Sequence, residues 1–169
     1  MNKKNLSFII IISIITGFLY NYFSGNGLPL IRKEMQIEYV SDSTFSSLHN
    51  GNGNDELTIK GLNLDQTYKL YTSRMAVFID ARDQWEYAEV HVTGSVNIPE
   101  FSFEPEDPKV TGLGRDQIYV VYCDGDDCDV SKRLAAELVK IGFSKVYVFL
   151  GGIDEWVEAG YPTEGNKTE

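Results

Sequence analysis

Two cysteines, Cys123 and Cys128, are the only thiols in the chain's 169 residues, and both fall in one short stretch. Ahead of Cys123, Ile118 to Tyr122 is an apolar, β-branched and aromatic run, the pattern of a buried strand. Behind it, Asp124, Gly125, Asp126, Asp127, Cys128 and Asp129 form a polar, glycine-bearing loop. Apolar residues then recur at helical spacing at Val130, Leu134, Leu138 and Ile141, and Gly142 closes the run. A cysteine placed between a strand's end and a helix's start meets unpaired backbone N–H groups and the positive end of the helix dipole. Both favour a thiolate, the nucleophilic form of cysteine. The same amides, from Asp124 to Val130, form the expected cradle for a negatively charged sulfur carried on Cys123.

The loop's composition narrows that chemistry. It carries Asp124, Asp126, Asp127 and Asp129 and no Lys or Arg; Lys132 and Arg133 lie beyond it. Carboxylates around a thiolate work against its charge and repel anionic donors. Cys128 is close enough along the chain for its sulfur to meet that of Cys123. A redox partnership, a structural role and a bystander role all remain open for Cys128. A metal reading fails on spacing, since the loop lacks histidine and the two thiols are not placed as zinc ligands. No metal and no cofactor are expected. A phosphatase needs an arginine in its cysteine loop to grip phosphate bidentately, and none is present. Asp80 and Arg82 read as a buried pair near the loop, with Arg82 also a candidate to orient substrate. His91 reads as a turn-holding residue rather than a general acid or base, and Tyr147 and Trp156 as core.

The elements that must position these residues alternate. Strands are expected at Ala76–Ile79, Val96–Ile98 and Lys145–Leu150, and helices at Leu62–Tyr71, Asp83–Glu89 and Gly152–Ala159. Phe101–Gly114, with two prolines and two glycines, reads as mostly loop. Strands alternating with helices indicate a parallel α/β sheet. Sites in such sheets form at the strands' carboxyl ends. Asp80 to Arg82, Cys123 and Gly151-Gly152 all fall at that end.

The first third of the chain differs in kind. Leu6 to Phe23 is a nearly uncharged apolar run, close to the length of a bilayer-crossing helix, with Tyr20, Tyr22 and Phe23 at its far end. Lys3 and Lys4 precede it, which predicts that everything after Phe23 faces the outer, periplasmic or extracellular side. The competing reading is a signal sequence cleaved within residues 1–27, which would make the protein secreted. Residues 24–60 read as a linker, with Ser41–Asn54 rich in Ser, Asn, Asp and Gly. Short edge strands are expected at Met35–Val40 and Leu57–Ile59. The main domain is expected at residues 61–163 and a tail at 164–169. Formal net charge is −10, and no acidic residue precedes Glu34. The remainder is therefore strongly acidic, which disfavours nucleic acid and anionic lipid surfaces as partners.

The motifs, taken in order, resemble those of the rhodanese-like sulfurtransferases from about Gly61 to Pro162. Val77-Phe78-Ile79-Asp80-Ala81-Arg82-Asp83 resembles the family's apolar strand ending in D-x-R. Glu86-Tyr87 and His91-Val92-Thr93-Gly94-Ser95-Val96-Asn97-Ile98-Pro99 resemble its E-[FY]…H-I-x-G-A-x-N-I-P run, with Val90 where a glycine is usual. Val146–Leu150, Gly151-Gly152 and Trp156 match its later strand, G-G and Trp. The resemblance implies a central, mostly parallel sheet flanked by helices, here preceded by a membrane helix. It also implies sulfane-sulfur transfer through a persulfide on Cys123 to a thiol or other nucleophilic acceptor, with a sulfur donor, free or held on a partner protein, taking part. The family's helix-capping serine corresponds to Ser131, eight positions after Cys123, so the loop is about two residues longer than the family's usual one. That length, and its acidity, disfavour thiosulfate. Two other readings stand beside it: thiol–disulfide or persulfide redox chemistry using Cys123 and Cys128, and a non-catalytic rhodanese-like module that binds a partner.

Overall fold

The computed structural model describes residues 3–24, 35–49, 59–125 and 128–166. In chain order the elements are α1 (Lys3–Phe23), α2 (Asp42–His49), β1 (Lys60–Leu62), α3 (Leu64–Thr72), β2 (Ala76–Asp80), α4 (Gln84–Glu89), β3 (His91–Val92) and β4 (Val96–Asn97). A 3-10 turn at Glu100–Ser102 follows, then α5 (Pro108–Thr111), β5 (Ile118–Tyr122), α6 (Val130–Lys140), β6 (Val146–Phe149), α7 (Gly152–Glu158) and β7 (Thr163–Glu164). Five strands form a parallel sheet in the order β1-β6-β5-β2-β4. β3 and β7 pair antiparallel as a small second sheet.

The central strand β5 shows why its sequence is apolar throughout. Successive side chains point to opposite faces of a sheet, and helices cover both faces here. Tyr119 and Val121 join Leu134, Ala135 and Leu138 of α6 in one buried cluster. Val120 and Tyr122 join Phe78, Phe149, Ile153 and Trp156 in the other. Trp156 is fully buried, and its indole N–H donates to Pro162 O at 3.0 Å. α6 ends at Gly142, whose φ of +96° suits glycine. The N–H of Gly142 donates to Val139 O and that of Phe143 to Leu138 O, the paired bonds of a Schellman ending.

Most expected elements appear within a residue or two of their expected limits. Five segments differ. Ser41–Asn54 reads as linker by composition, yet Asp42–His49 is helical. The Ser41 hydroxyl accepts the Thr44 N–H at its start, and Phe45 anchors it by burying beside Val40. Met35–Val40 contributes one parallel bridge, Tyr39 to Gly61, rather than a strand. The edge strand is Lys60–Leu62, beyond the expected Leu57–Ile59, of which Leu57 and Thr58 lie outside the described residues. Phe101–Gly114 contains the short helix α5, started by Asp107 capping Lys109 N and by Pro108 at its first position. At the far end, Thr163 and Glu164 form β7 and Asn166 N–H donates to Ala88 O, so ordered contacts reach into the expected tail.

Residues 1–34 and 35–169 are separate compact units. In the first, Asn5–Phe23 has a mean hydropathy of 1.9 and none of it is buried. By length and composition this helix is able to cross a bilayer.

A short helix is marginal without packing, so α2 depends on Phe45. Phe45→Ala is expected to speed amide hydrogen exchange across residues 42–49 while β5 amides keep their protection. Unchanged exchange in α2 would show that Phe45 does not anchor it.

Candidate active site

Parallel strands bring their carboxyl ends together, so the segments after β5, β2, β4 and β6 share one end of the sheet. Cys123 follows β5 directly and is 2% exposed. Cys123 and Cys128 are joined as a disulfide, with Cα atoms 6.4 Å apart. The Ser131 hydroxyl lies 3.2 Å from Cys123 Sγ and is the donor in this contact, because a disulfide sulfur carries no proton. Ser131 belongs to the first turn of α6 and is itself buried.

That first turn carries no side-chain cap. Asp129 occupies the N-cap position, but its carboxylate makes no bond to the helix amides and instead meets Lys132 Nζ at 3.0 Å. The helix start therefore keeps first-turn backbone donors that an ordinary Asp cap would consume. Within the loop, Cys128 N–H donates to Gly125 O at 3.0 Å, which closes a turn between the two cysteines. Asp126 and Asp127, two members of the expected cradle, lie outside the described residues.

Two neighbouring elements hold the loop's backbone. At the start of α7, Ile153 N–H donates to Cys123 O at 2.8 Å and Asp154 N–H to Asp124 O at 3.0 Å. This approach requires Gly152. Its φ is +60°, and a Cβ there would lie 2.2 Å from Asp124 O and 2.5 Å from Cys123 O. From the other side, Arg82 Nη1 reaches Asp124 Oδ1 at 3.5 Å. Arg82 is held by Asp80, whose Oδ2 accepts from Nη2 at 2.7 Å and whose Oδ1 accepts from Nε at 3.1 Å and from the Arg82 backbone N–H at 3.0 Å. Nη2 also donates to Val90 O. Burial opposes the guanidinium charge, but the Asp80 hydrogen bond and charge outweigh it and raise the Arg82 pKa. Asn97 Nδ2 ties the same turn, donating to Asp80 O and Arg82 O.

The acidity of the loop is thus partly offset by cations that the linear sequence places elsewhere. Arg82 faces Asp124, and Lys132, 6% exposed, folds back onto Asp129. Arg133 turns away, pairing with Glu100 at 2.8 and 3.1 Å. His91 stacks on Tyr87 with ring centroids 3.8 Å apart, and its Nδ1 lies 2.6 Å from Tyr87 O. It braces the β3–β7 corner and not the cysteine loop. Lys132 and Asn97 are the site neighbours that sequence reasoning did not assign. Ser131, expected as the helix-capping serine, lies inside the first turn, and Asp129 holds the cap position.

The matched family is the rhodanese-like domain, over residues 63–159. The chain belongs to this family, which is related to sulfur transfer. It is 25% identical over 131 residues to a tRNA uridine(34) hydroxylase of Hamiltonella defensa, covering 75% of this chain and 34% of that protein. A Citrobacter koseri protein of the same name is 35% identical over 95 residues, covering 52% of this chain and 26% of that one. The chain thus spans about a quarter to a third of the length of these curated relatives. Among solved structures, it is similar to a rhodanese-related protein of Thermoplasma volcanium, with 25% identity, a TM-score of 0.52, and coverage of 63% of this chain and 98% of that one. A Bacillus halodurans protein has the same fold at a TM-score of 0.56 and 23% identity, over 61% of this chain and 74% of that one.

Removing one partner of a buried ion pair strands the other charge. Arg82→Ala is therefore expected to lower unfolding free energy by about 3–5 kcal/mol in urea titration, and Arg82→Lys by less. A change within error would show that Asp80 does not depend on this partner. Gly152→Ala is expected to displace the cysteine loop and to alter Cys123 alkylation in the reduced protein, and an unchanged rate would contradict the close approach.

Proposed function

We propose that this chain is a sulfurtransferase that carries sulfane sulfur as a persulfide on Cys123. The observation that supports this most is the cysteine's setting: the Ser131 hydroxyl at 3.2 Å and a helix start left without a side-chain cap. The reduced Cys123 thiolate attacks the outer sulfur of a donor persulfide. A new S–S bond forms to Cys123, the donor's own S–S bond breaks, and the donor leaves as a thiolate with the electron pair. An acceptor nucleophile then takes the outer sulfur and returns the Cys123 thiolate. The covalent intermediate makes the kinetics ping-pong. Backbone donors of Asp124, Gly125, Asp129 and Val130, with the Ser131 hydroxyl, serve as the cradle, the Cys128 N–H being engaged by Gly125 O. Arg82 acts as a positioning residue for Asp124. Neutral donors, or persulfides held on a protein, suit the acidic rim better than thiosulfate.

The disulfide favours a second, linked reading. Here the Cys128 thiolate attacks Cys123 Sγ of the persulfide and expels hydrosulfide. The sulfane sulfur is reduced to sulfide, the two cysteines are oxidised to the disulfide, and an external dithiol restores them. A disulfide suits an oxidising compartment, in keeping with a chain anchored by α1 and facing outward. The relatives' tRNA modification is not carried over, because the acidic surface disfavours a polyanion.

Intact-mass analysis of the reduced full chain tests this. After a polysulfide, the Cys123 persulfide should add about 32 Da, the mass of one sulfur, which wild type sheds as hydrosulfide where Cys128 closes the disulfide. Cys123→Ser should gain nothing there, and Cys128→Ser should keep the adduct but lose sulfide release. No adduct from any donor, or one that persists in Cys123→Ser, would overturn the proposal. Membrane-impermeant alkylation of reduced intact cells should label the cysteines, and protection until lysis would refute the outward orientation.

A further inference from the structure

Among the described residues of 35–169, the two most exposed large apolar side chains are Trp85, 72% exposed, and Phe101, 76% exposed. Neither position is dictated by the fold. Each core face is already filled by other aromatics, and Trp85 projects from the helix whose cap, Asp83, needs no tryptophan two residues on. Both nevertheless fall on the same end of the sheet. Trp85 follows β2 by way of Arg82, which touches the cysteine loop at Asp124. Phe101 follows β4, and its neighbour Glu100 donates its N–H to Ala81 O and binds Arg133 of the cysteine helix. Since β5, β2 and β4 are parallel neighbours, these two aromatics follow strands whose carboxyl ends lie beside the one that carries Cys123.

The ground around them is acidic. The Asp124 side chain is half exposed, and Asp154 Oδ2 lies against Gly125 on the loop's other side. Glu86, next to Trp85, takes its proton more readily than usual, through burial first and the nearby Asp124 charge as a further contribution. Two exposed aromatics amid carboxylates suit a partner with apolar pockets and a cationic rim. They do not suit a second copy of this chain, which would bring the same negative charge to the contact, nor an anionic lipid surface.

We infer that the Trp85–Phe101 face is the docking surface for a basic-rimmed protein that presents a cysteine persulfide or thiol to Cys123. This deepens the proposed function and rests on it. Docking would place the partner's sulfur at a mouth too closed for wide access, Cys123 being 2% exposed. The transfer is the one already balanced: an S–S bond forms to Cys123 as the partner's breaks, and the partner leaves as a thiolate.

The test uses the reduced full chain in a neutral detergent. The probes are two peptides of about ten residues, each with one cysteine persulfide, one flanked by lysines and one by glutamates, and a low-mass neutral persulfide as control. The lysine peptide should load Cys123 roughly tenfold faster than the glutamate peptide at low salt, with the gap shrinking at high salt. Trp85→Ala/Phe101→Ala should slow loading from the lysine peptide at least about fivefold and leave the low-mass donor unaffected. Equal rates for the two peptides, or a double variant that slows both donor types alike, would overturn the inference. Docking is read separately from transfer with a serine version of the lysine peptide. It should change Trp85 fluorescence saturably, more weakly in Phe101→Ala, and no change would overturn the surface. If this signal holds while no donor loads sulfur, the sulfur-transfer reading fails and the surface stands.

Discussion

Asp80 is fully buried and charged, and the geometry around Cys123 depends on how that charge is met. A carboxylate taken out of water is tolerated only with a close countercharge and satisfied hydrogen bonds. Arg82 supplies both, with three donors on the two carboxylate oxygens. The pair stiffens the turn after β2 and leaves one guanidinium nitrogen aimed at Asp124. Tyr122, the last residue of β5, is drawn into the same arrangement: its hydroxyl accepts Val92 N–H and lies 3.0 Å from Ser95 Oγ. Burial, with the Asp80 charge adding to it, pushes the Tyr122 phenol well above its usual pKa and keeps it neutral. The strand that delivers Cys123 is therefore fixed at its last residue by polar contacts as well as by packing.

The loop itself balances opposing electrostatic effects. Its aspartates repel an anionic sulfur, while the start of α6, Ser131, Arg82 and Lys132 favour one. Asp129 is turned from the helix amides towards Lys132, which lowers its field on the loop and spares those amides at once. α7 adds a third hold by donating two backbone N–H groups to the carbonyls of Cys123 and Asp124. The carbonyl oxygens are thereby drawn towards α7. The carbonyl that does face the sulfur is that of Cys128, 3.4 Å from Cys123 Sγ.

Legibility in the sequence followed the kind of signal each element carries. Strand β5 and helix α6 were plain, because buried parallel strands are apolar throughout and amphipathic helices keep a 3.6-residue period. The Asp80–Arg82 pair and Gly151-Gly152 were legible through family motifs, though the reason for Gly152, two carbonyls within reach of any Cβ, needed coordinates. Helix α2 was missed because its sequence is serine-rich and its stability comes from Phe45, a tertiary contact. The partial offset of the loop's charge was missed as well. Arg82 lies 42 residues from Asp124 along the chain, and no local pattern reports that they meet.

The most direct measurement of the central claim is a crystal structure of the reduced protein after polysulfide treatment. The account predicts one additional sulfur bonded to Cys123 Sγ, within hydrogen-bond reach of the Ser131 hydroxyl and the first-turn amides of α6. A bare Cys123, or an extra sulfur on Cys128 alone, would contradict it.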